Sequence, residues 1–312
     1  MMDEKVPGCV CRGCSLSGTA FASRSSVGSE MEFVVEQAQA LEVRPCVKMV
    51  GGKRKLVPEI RKLMPAKFGR YFEPFFGGGA MFFSLSAKER KGAQLSDMNK
   101  PLVAMYQALR DEKACHEVVL LLSKPGARYA DDRETFMKAR RRNFLVGSAA
   151  ERAADFLYCN KAGFNGLFRT NLAGEFNVPF GAHKALVYDF ENLRLVGAAL
   201  REATIELQEF DRIKPKKGDF VYLDPPYLPL SVTSSFTAYT SGGFGKEDHE
   251  RLMKAALEWK MGGVHVVISN SAAPFIRELY SGPEWEVIEV QAARSVNSKA
   301  TGRGKIAELM IR

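Results

Sequence analysis

Phe220-Val221-Tyr222-Leu223-Asp224-Pro225-Pro226-Tyr227 is the stretch that decides the fold class of this chain. Four apolar residues in a row read as a strand buried on both faces, the habit of parallel sheets covered by helices, and the two prolines stop it. Open α/β sheets gather their ligands outside the carboxyl ends of the strands, so Asp224 is expected to face a site. The structural alternative is an ordinary Pro-Pro turn after a core strand, with a half-buried tyrosine.

The residue types suit one task well. An aromatic exocyclic amine is a poor nucleophile because its lone pair is delocalised into the ring. Two acceptors, the Asp224 carboxylate and the Pro225 carbonyl, can hold both amino hydrogens and favour a pyramidal nitrogen. Pro225 and Pro226 fix φ and carry no N–H, so the turn offers carbonyls without a competing donor. Tyr227 adds a flat face on which a planar base can stack.

Upstream, Tyr71-Phe72-Glu73-Pro74-Phe75-Phe76-Gly77-Gly78-Gly79-Ala80 reads as a short strand, a glycine turn and a helix from about Ala80 to Lys88 that buries Met81, Phe82 and Leu85. Glycines admit a ligand close to the backbone, and the helix start offers N–H groups. The G-x-G-x-x-G spacing of dinucleotide sites is absent, which disfavours a nicotinamide enzyme. A strand from Ala93 to Ser96 ends at Asp97, with Asn99 close behind. An acid at that place grips ribose hydroxyls, or caps the helix that Pro101 starts, and the two roles are compatible.

In the last third, Lys246 to Lys260 has helical spacing and Val264 to Asn270 reads as the strand after it, with Glu284 to Val290 and Lys305 to Ile311 as closing strands. Strands alternating with helices imply a doubly wound, mostly parallel sheet. Between the halves, Arg133 to Arg142 and Ala149 to Cys159 read as helices. The run Arg140-Arg141-Arg142 fits a solvated helix end and fits phosphate contact equally. Arg169 to Phe180, with Gly174 in its middle, reads as a β-hairpin, a shape that enters a major groove, where an arginine can read guanine through O6 and N7.

Net charge is +9, and residues 1 to 44 hold four basic against six acidic residues, so the rest of the chain carries +11. That balance suits a polyanionic partner. No apolar run approaches the length of a membrane span and no charged start leads into an apolar one, which argues for a cytoplasmic protein. The six cysteines are scattered, as reduced thiols would be, and Cys9, Cys11 and Cys14 lack the second pair of a tetrahedral zinc site. Residues 13 to 29 are rich in Ser, Gly, Thr and Ala and are expected to be disordered; Glu32 to Leu41 fits a short helix.

Taken in order, Gly51-Gly52-Lys53, Glu73-Pro74-Phe75 with Gly77 and Gly79, Asp97-Met98-Asn99, and Asp224-Pro225-Pro226-Tyr227 resemble the motifs of Dam-type (D12 class) DNA adenine-N6 methyltransferases. Asn160 to Arg169, Gly174 to Gly181, Pro229-Leu230-Ser231 and Phe236-Thr237-Ala238-Tyr239 resemble further blocks of that family, so the likeness runs from about Lys48 to Arg312.

The resemblance implies a Rossmann-like S-adenosylmethionine-dependent methyltransferase fold: a seven-stranded, mostly parallel sheet with its last strand antiparallel. It implies a catalytic domain of residues 45–112 and 201–312, a mainly helical target-recognition subdomain at 113–200, and an N-terminal extension at 1–44. Gly52, Lys53, Glu73, Phe75, Gly77, Gly79, Asp97, Asn99, Phe210 and Asp224 would bind the cofactor, S-adenosylmethionine. Lys53 would take its methionyl carboxylate, Asp97 its ribose, and Phe75 and Phe210 its adenine. Lys48, Phe164, Asn165, Leu167, Arg169 and Pro179 would meet double-stranded DNA, with Lys48 reading the first guanine of GATC, Leu167 and Arg169 its second half, and Phe164 intercalating.

No metal and no obligate protein partner are implied. Phe164 stands where the family has tyrosine, Met49 where it often has tryptophan, and Ala182-His183-Lys184 replaces a more basic triplet. Adenine methylation at another site, or methyl transfer to RNA or a protein amide, is the alternative.

Overall fold

A computed structural model describes residues 42–293, apart from 125, 127, 172–174, 182–184 and 229–243, and then 305–312. The Cys9 to Cys14 run, the expected helix at Glu32 to Leu41, Gly174, the 182–184 triplet and the blocks at 229–231 and 236–239 lie outside the described residues. In chain order the elements are α1 (Val57–Leu63), β1 (Tyr71–Glu73), α2 (Ala80–Phe83), α3 (Ala87–Arg90), β2 (Ala93–Asp97), α4 (Lys100–Arg110), α5 (Glu112–Ser123), α6 (Arg133–Arg140), α7 (Ala149–Ala162) and α8 (Phe190–Arg201). There follow β3 (Ala203–Leu207), β4 (Phe220–Leu223), α9 (Lys246–Met261), β5 (His265–Ser271), α10 (Pro274–Leu279), β6 (Val287–Ala293) and β7 (Lys305–Ile311).

The seven strands form one sheet in the order β3-β2-β1-β4-β5-β7-β6. β1 pairs in parallel with both β2 and β4, and β2–β3 and β4–β5 are parallel as well. β7 runs antiparallel to β5 and to β6, as expected of the last strand. The chain builds outward from β1 to β3 and returns at β4, so the order reverses between β1 and β4. A crevice is expected outside the carboxyl ends of those two strands, where Glu73 and Asp224 stand.

β4 is buried along its whole length because both faces of the sheet are covered. Phe220 and Tyr222 join Tyr71, Phe76 and Phe82 in one core, and Val221 and Leu223 join Phe72, Leu252, Ala256 and Ile276 in the other. The first core continues without a break into the insert, through Tyr106 on α4 and Phe156, Leu157 and Tyr158 on α7. No helix among the described residues is long and apolar enough to cross a membrane.

Two elements differ from expectation. The helix expected from Ala80 to Lys88 is two short helices, because Ser86 starts α3 with a capping box: its hydroxyl accepts from the Glu89 N–H at 3.3 Å and its own N–H donates to the Glu89 carboxylate at 2.7 Å. Among its described residues, the expected hairpin from Arg169 to Phe180 shows antiparallel pairing without a regular ladder. The Asn171 and Asn177 N–H groups donate to Glu175 and Arg169 carbonyls at 2.9 and 3.0 Å, and Thr170 bridges Phe176.

Candidate active site and nucleic-acid interface

Asp224 leaves β4 half-buried, and its Oδ1 is held from two sides. Lys53 Nζ lies 2.8 Å away in an ion pair, and Ser269 Oγ on β5 donates to the same oxygen at 2.8 Å. Tyr222 OH stands 3.0 Å from Ser269 Oγ, so the two hydroxyls form a short relay ending on the carboxylate. Lys53 is 6% exposed, also donates to the Gly51 carbonyl at 2.7 Å, and lies 4.5 Å from the centre of the Tyr227 ring. Tyr227 OH in turn donates to Glu308 Oε2 on β7 at 2.9 Å. Burial raises the Glu308 carboxyl above its ordinary range, with Lys53 pulling the other way. Pro225 is buried and Pro226 exposed.

His249 on α9 is wholly buried behind this turn, against the Pro226 carbonyl and 3.4 Å from Asn270 Nδ2. Burial pushes its imidazole down to about 4, which keeps it neutral at neutral pH. Ser269, Tyr222, Glu308 and His249 were missed by the sequence reading. The only signal was that Ser269 and Asn270 end the strand next to β4.

The glycine turn and the end of β2 form a second cluster. Asp97 Oδ2 accepts from the Gly77 N–H and Oδ1 from the Asn99 N–H, both at 2.8 Å, and burial raises its carboxyl above the ordinary range. Asn99, not Asp97, is the cap of α4, accepting from the Leu102 N–H at 3.1 Å. The acid is thereby left half-buried at the rim of the crevice.

Gly77 and Gly79 both have positive φ, but for different reasons. A Cβ on Gly79 would stand 2.6 Å from the Phe76 ring and 2.7 Å from that of Phe83, whereas one on Gly77 would meet nothing closer than the Phe75 carbonyl at 3.9 Å. Gly79 serves packing, and Gly77 leaves space for a ligand.

Two of the expected cofactor residues are buried. Glu73 is 3% exposed, with its Oε2 accepting from Tyr71 OH at 2.8 Å and the Phe82 N–H at 3.2 Å. Burial, with Asp224 adding to it, pushes its carboxyl up to about 8. Phe210 is 3% exposed, stacked behind Phe75 at 5.6 Å with the Arg251 guanidinium 4.8 Å over its ring. Phe75 is only half-buried, with Phe210 stacked on it and Phe244 edge-on at 5.5 Å. A cation, an acid on the rim, an aromatic face and space beside Gly77 together fit a nucleoside carrying an amino-acid tail.

The expected DNA residues come together from distant segments. Lys48 is exposed, and its chain packs against Gly166, where a Cβ would be 3.3 Å from it. Phe164 is 49% exposed, a large ring turned to solvent at the tip of a turn in which Asn165 holds φ 57°. The Phe164 N–H donates to the carbonyl of exposed Pro179 at 2.8 Å. Arg169 is exposed and oriented by Asn177 Oδ1, 2.8 Å from its Nε. Leu167 is half-buried against the core, so it serves partly as a prop for this surface.

The arginine run divides its work. Arg142 pairs with buried Asp155 at 2.5 Å, Arg140 donates to the Phe176 carbonyl at 3.2 Å, and Arg141 is exposed.

The family model of the D12 class N6 adenine-specific DNA methyltransferases matches residues 50–296. The chain belongs to that family. It is 36% identical over 282 residues to type II methyltransferase M1.LlaDCHI of Lactococcus lactis subsp. cremoris, covering 88% of this chain and 97% of the relative. Type II methyltransferase M.MjaIII of Methanocaldococcus jannaschii is 34% identical over 288 residues, with 87% and 99% covered. The DNA adenine methylase of Escherichia coli K12 is 32% identical over 274 residues, with 86% and 94% covered. As a D12 class enzyme the chain is an adenine-specific DNA methyltransferase on a mostly parallel seven-stranded sheet.

Proposed function

We propose that this enzyme transfers a methyl group from S-adenosylmethionine to the N6 amine of an adenine flipped out of duplex DNA, within GATC. The observation that carries this reading is the Asp224 carboxylate fixed at the end of β4 by Lys53 and Ser269, beside the Pro225–Pro226 turn and the Tyr227 ring. Lys53, Asp97 and Phe75 would hold the cofactor by its carboxylate, its ribose hydroxyls and its adenine. Bound there, S-adenosylmethionine supplies an electrophilic methyl group on a positively charged sulfur.

Asp224 and the Pro225 carbonyl accept the two amino hydrogens and aim the nitrogen lone pair. Beside a lysine, the carboxylate acts as an acceptor that orients the amine, and no prior proton removal is required of it. Tyr227, tethered by Glu308 and covered on one face by Lys53, offers its other face to the base. Flipping costs a few kcal/mol, and insertion of Phe164 into the stack offsets part of it.

Residues 45–112 and 201–312 then form the catalytic domain, and 113–200 recognise the target, in a cytoplasmic enzyme. Lys48 and Arg169 support GATC by their likeness to Dam. The type II relatives and Phe164 in place of tyrosine favour a second reading, the same chemistry at another site.

Incubating the protein with tritiated S-adenosylmethionine and plasmid, RNA or carrier protein separates the classes. Label is expected in DNA alone, as N6-methyladenine, with single-base sequencing giving the site. Asp224→Ala should lose on the order of 10²-fold or more in turnover with DNA affinity retained. Label in RNA or protein, or near-normal turnover by Asp224→Ala, overturns the reading.

A further inference from the structure

Two buried asparagines treat the backbone of residues 44 to 48 as if it were the edge of a sheet. Asn192 on α8 accepts from the Arg44 N–H and donates to the Arg44 carbonyl, both at 2.9 Å. Asn160, near the end of α7 and 4% exposed, accepts from the Lys48 N–H at 3.1 Å and donates to the Lys48 carbonyl at 2.9 Å. Each side chain therefore satisfies both polar groups of one residue, a two-point attachment that fixes position and orientation together.

Asn160 does more than Asn192. Its second amide hydrogen goes to the Gly166 carbonyl at 2.9 Å, inside the turn that carries Phe164 and Asn165 and leads to Arg169. One carboxamide thus spends its acceptor and both donors on two segments, one bearing Lys48 and the other the exposed ring and arginine. The segment it holds also lines the glycine turn: a Cβ on Gly78 would lie 3.5 Å from the Val47 carbonyl and 3.9 Å from the Met49 side chain. Buried and fully bonded, such an amide is costly to replace by a group that leaves any partner unpaired.

We infer that Asn160 is a positioning residue for target recognition, the joint that sets Lys48 and the Phe164–Arg169 turn relative to each other so that both halves of the target are read as a unit. The inference rests on the reading above that Lys48 and this turn contact the bases. It does not require Asn160 to touch DNA, and nothing in the resemblance assigns it a role.

The test uses the full chain and a set of duplexes in which each base of the site found by sequencing is changed singly. In Asn160→Asp the side chain still accepts from Lys48, but above neutral pH a carboxylate faces the Lys48 and Gly166 carbonyls in place of two donors. Protonation returns one donor, and burial next to carbonyls favours the protonated form. At pH 8, discrimination against wrong bases in both halves of the site should therefore fall on the order of tenfold. It should recover as the pH is lowered toward 6, while wild-type discrimination stays flat.

Asn192→Ala, which removes the matching clamp at Arg44, should lower the melting temperature without changing base preference. Asn160→Ser, able to keep one of the three bonds, carries the same test without the pH arm if the aspartate variant does not fold. Unchanged preference in a folded Asn160 variant, or an equal change in Asn192→Ala, overturns the inference. If Lys48→Ala leaves every preference unaltered, the base-reading assignment itself fails, and the inference falls with it.

Discussion

The Asp224 carboxylate takes its side-chain partners from β5 and from the segment before α1, while the acid itself ends β4. This explains what could be read from sequence at the scale of single residues. Asp224 is legible because an acid that ends an apolar run has few structural reasons to be there, and Asp97 because it ends the strand after the glycine turn. Ser269 and Glu308 are not, since they reach Asp224 and Tyr227 across 45 and 81 residues and only the sheet order makes them neighbours. Glu73 was legible as special, but its Tyr71 and Phe82 partners and the burial that raises its carboxyl were not. Its consequence is a pH dependence with a definite sign. Folded Glu73 keeps its proton to about pH 8, against an ordinary value of 4.5, so between those limits the folded chain binds more protons and stability falls as pH rises. His249 acts oppositely, because its value drops from 6.5 to about 4 and the unfolded chain binds the extra proton between them. Of these two groups, only Glu73 acts between about pH 6.5 and 8. Urea midpoints over that window should fall less steeply for Glu73→Gln, which keeps the shape and cannot ionise, than for the wild type. Parallel profiles would mean that Glu73 is ionised in the native state.

Elements were legible where periodicity or a buried run governed them and misread where a local cap did. β4, β5, α7 and α9 follow from apolar patterning. The break between α2 and α3 follows from the Ser86–Glu89 capping box, which outweighs an apolar spacing that would otherwise continue the helix. The 169–177 pairing was legible as a reversal, but its described residues pair without forming a regular ladder. The glycine turn before α2 yields a prediction that separates packing from binding. Gly79→Ala places a Cβ against the Phe76 and Phe83 rings at φ 68°, and should cost about 1–3 kcal/mol from overpacking with a further ~1 kcal/mol from the left-handed backbone. Gly77→Ala meets no such wall at φ 49° and should cost only the backbone strain, while its methyl enters the space assigned to the cofactor. Denaturation should therefore rank Gly79→Ala as the less stable, and calorimetry with S-adenosylmethionine should rank Gly77→Ala as the weaker binder relative to its stability loss. The reverse order would remove the glycine turn from the cofactor site.

At the scale of the molecule, the excess of +11 on the chain after residue 44 suits a polyanionic partner but does not say which cations read and which merely attract. The fold shows which of them have partners within the protein. Arg142 is spent on Asp155 inside the insert, Arg140 on the Phe176 carbonyl, and Arg141 is exposed, a division invisible in a run of three identical residues. Asn160 ties the segment of Lys48 to the Gly166 carbonyl, in the turn that leads to Arg169. A cation that touches only phosphate lowers affinity on all sequences when removed and reduces the slope of log K against log salt by about 1, whereas an arginine bidentate to guanine contributes about 1–3 kcal/mol of discrimination at one base. Arg141→Ala should accordingly weaken binding on every duplex by a common factor, flatten the salt dependence and leave site preference intact. Arg169→Ala should relax the second half of the site, and Lys48→Ala its first guanine, each more than it slows methylation elsewhere. Titrations at several salt concentrations on cognate and singly changed duplexes measure both quantities at once. If Arg169→Ala and Lys48→Ala behave as Arg141→Ala does, with uniform loss and an unchanged preference, these side chains hold the duplex without reading it, and the assignment of GATC loses its support.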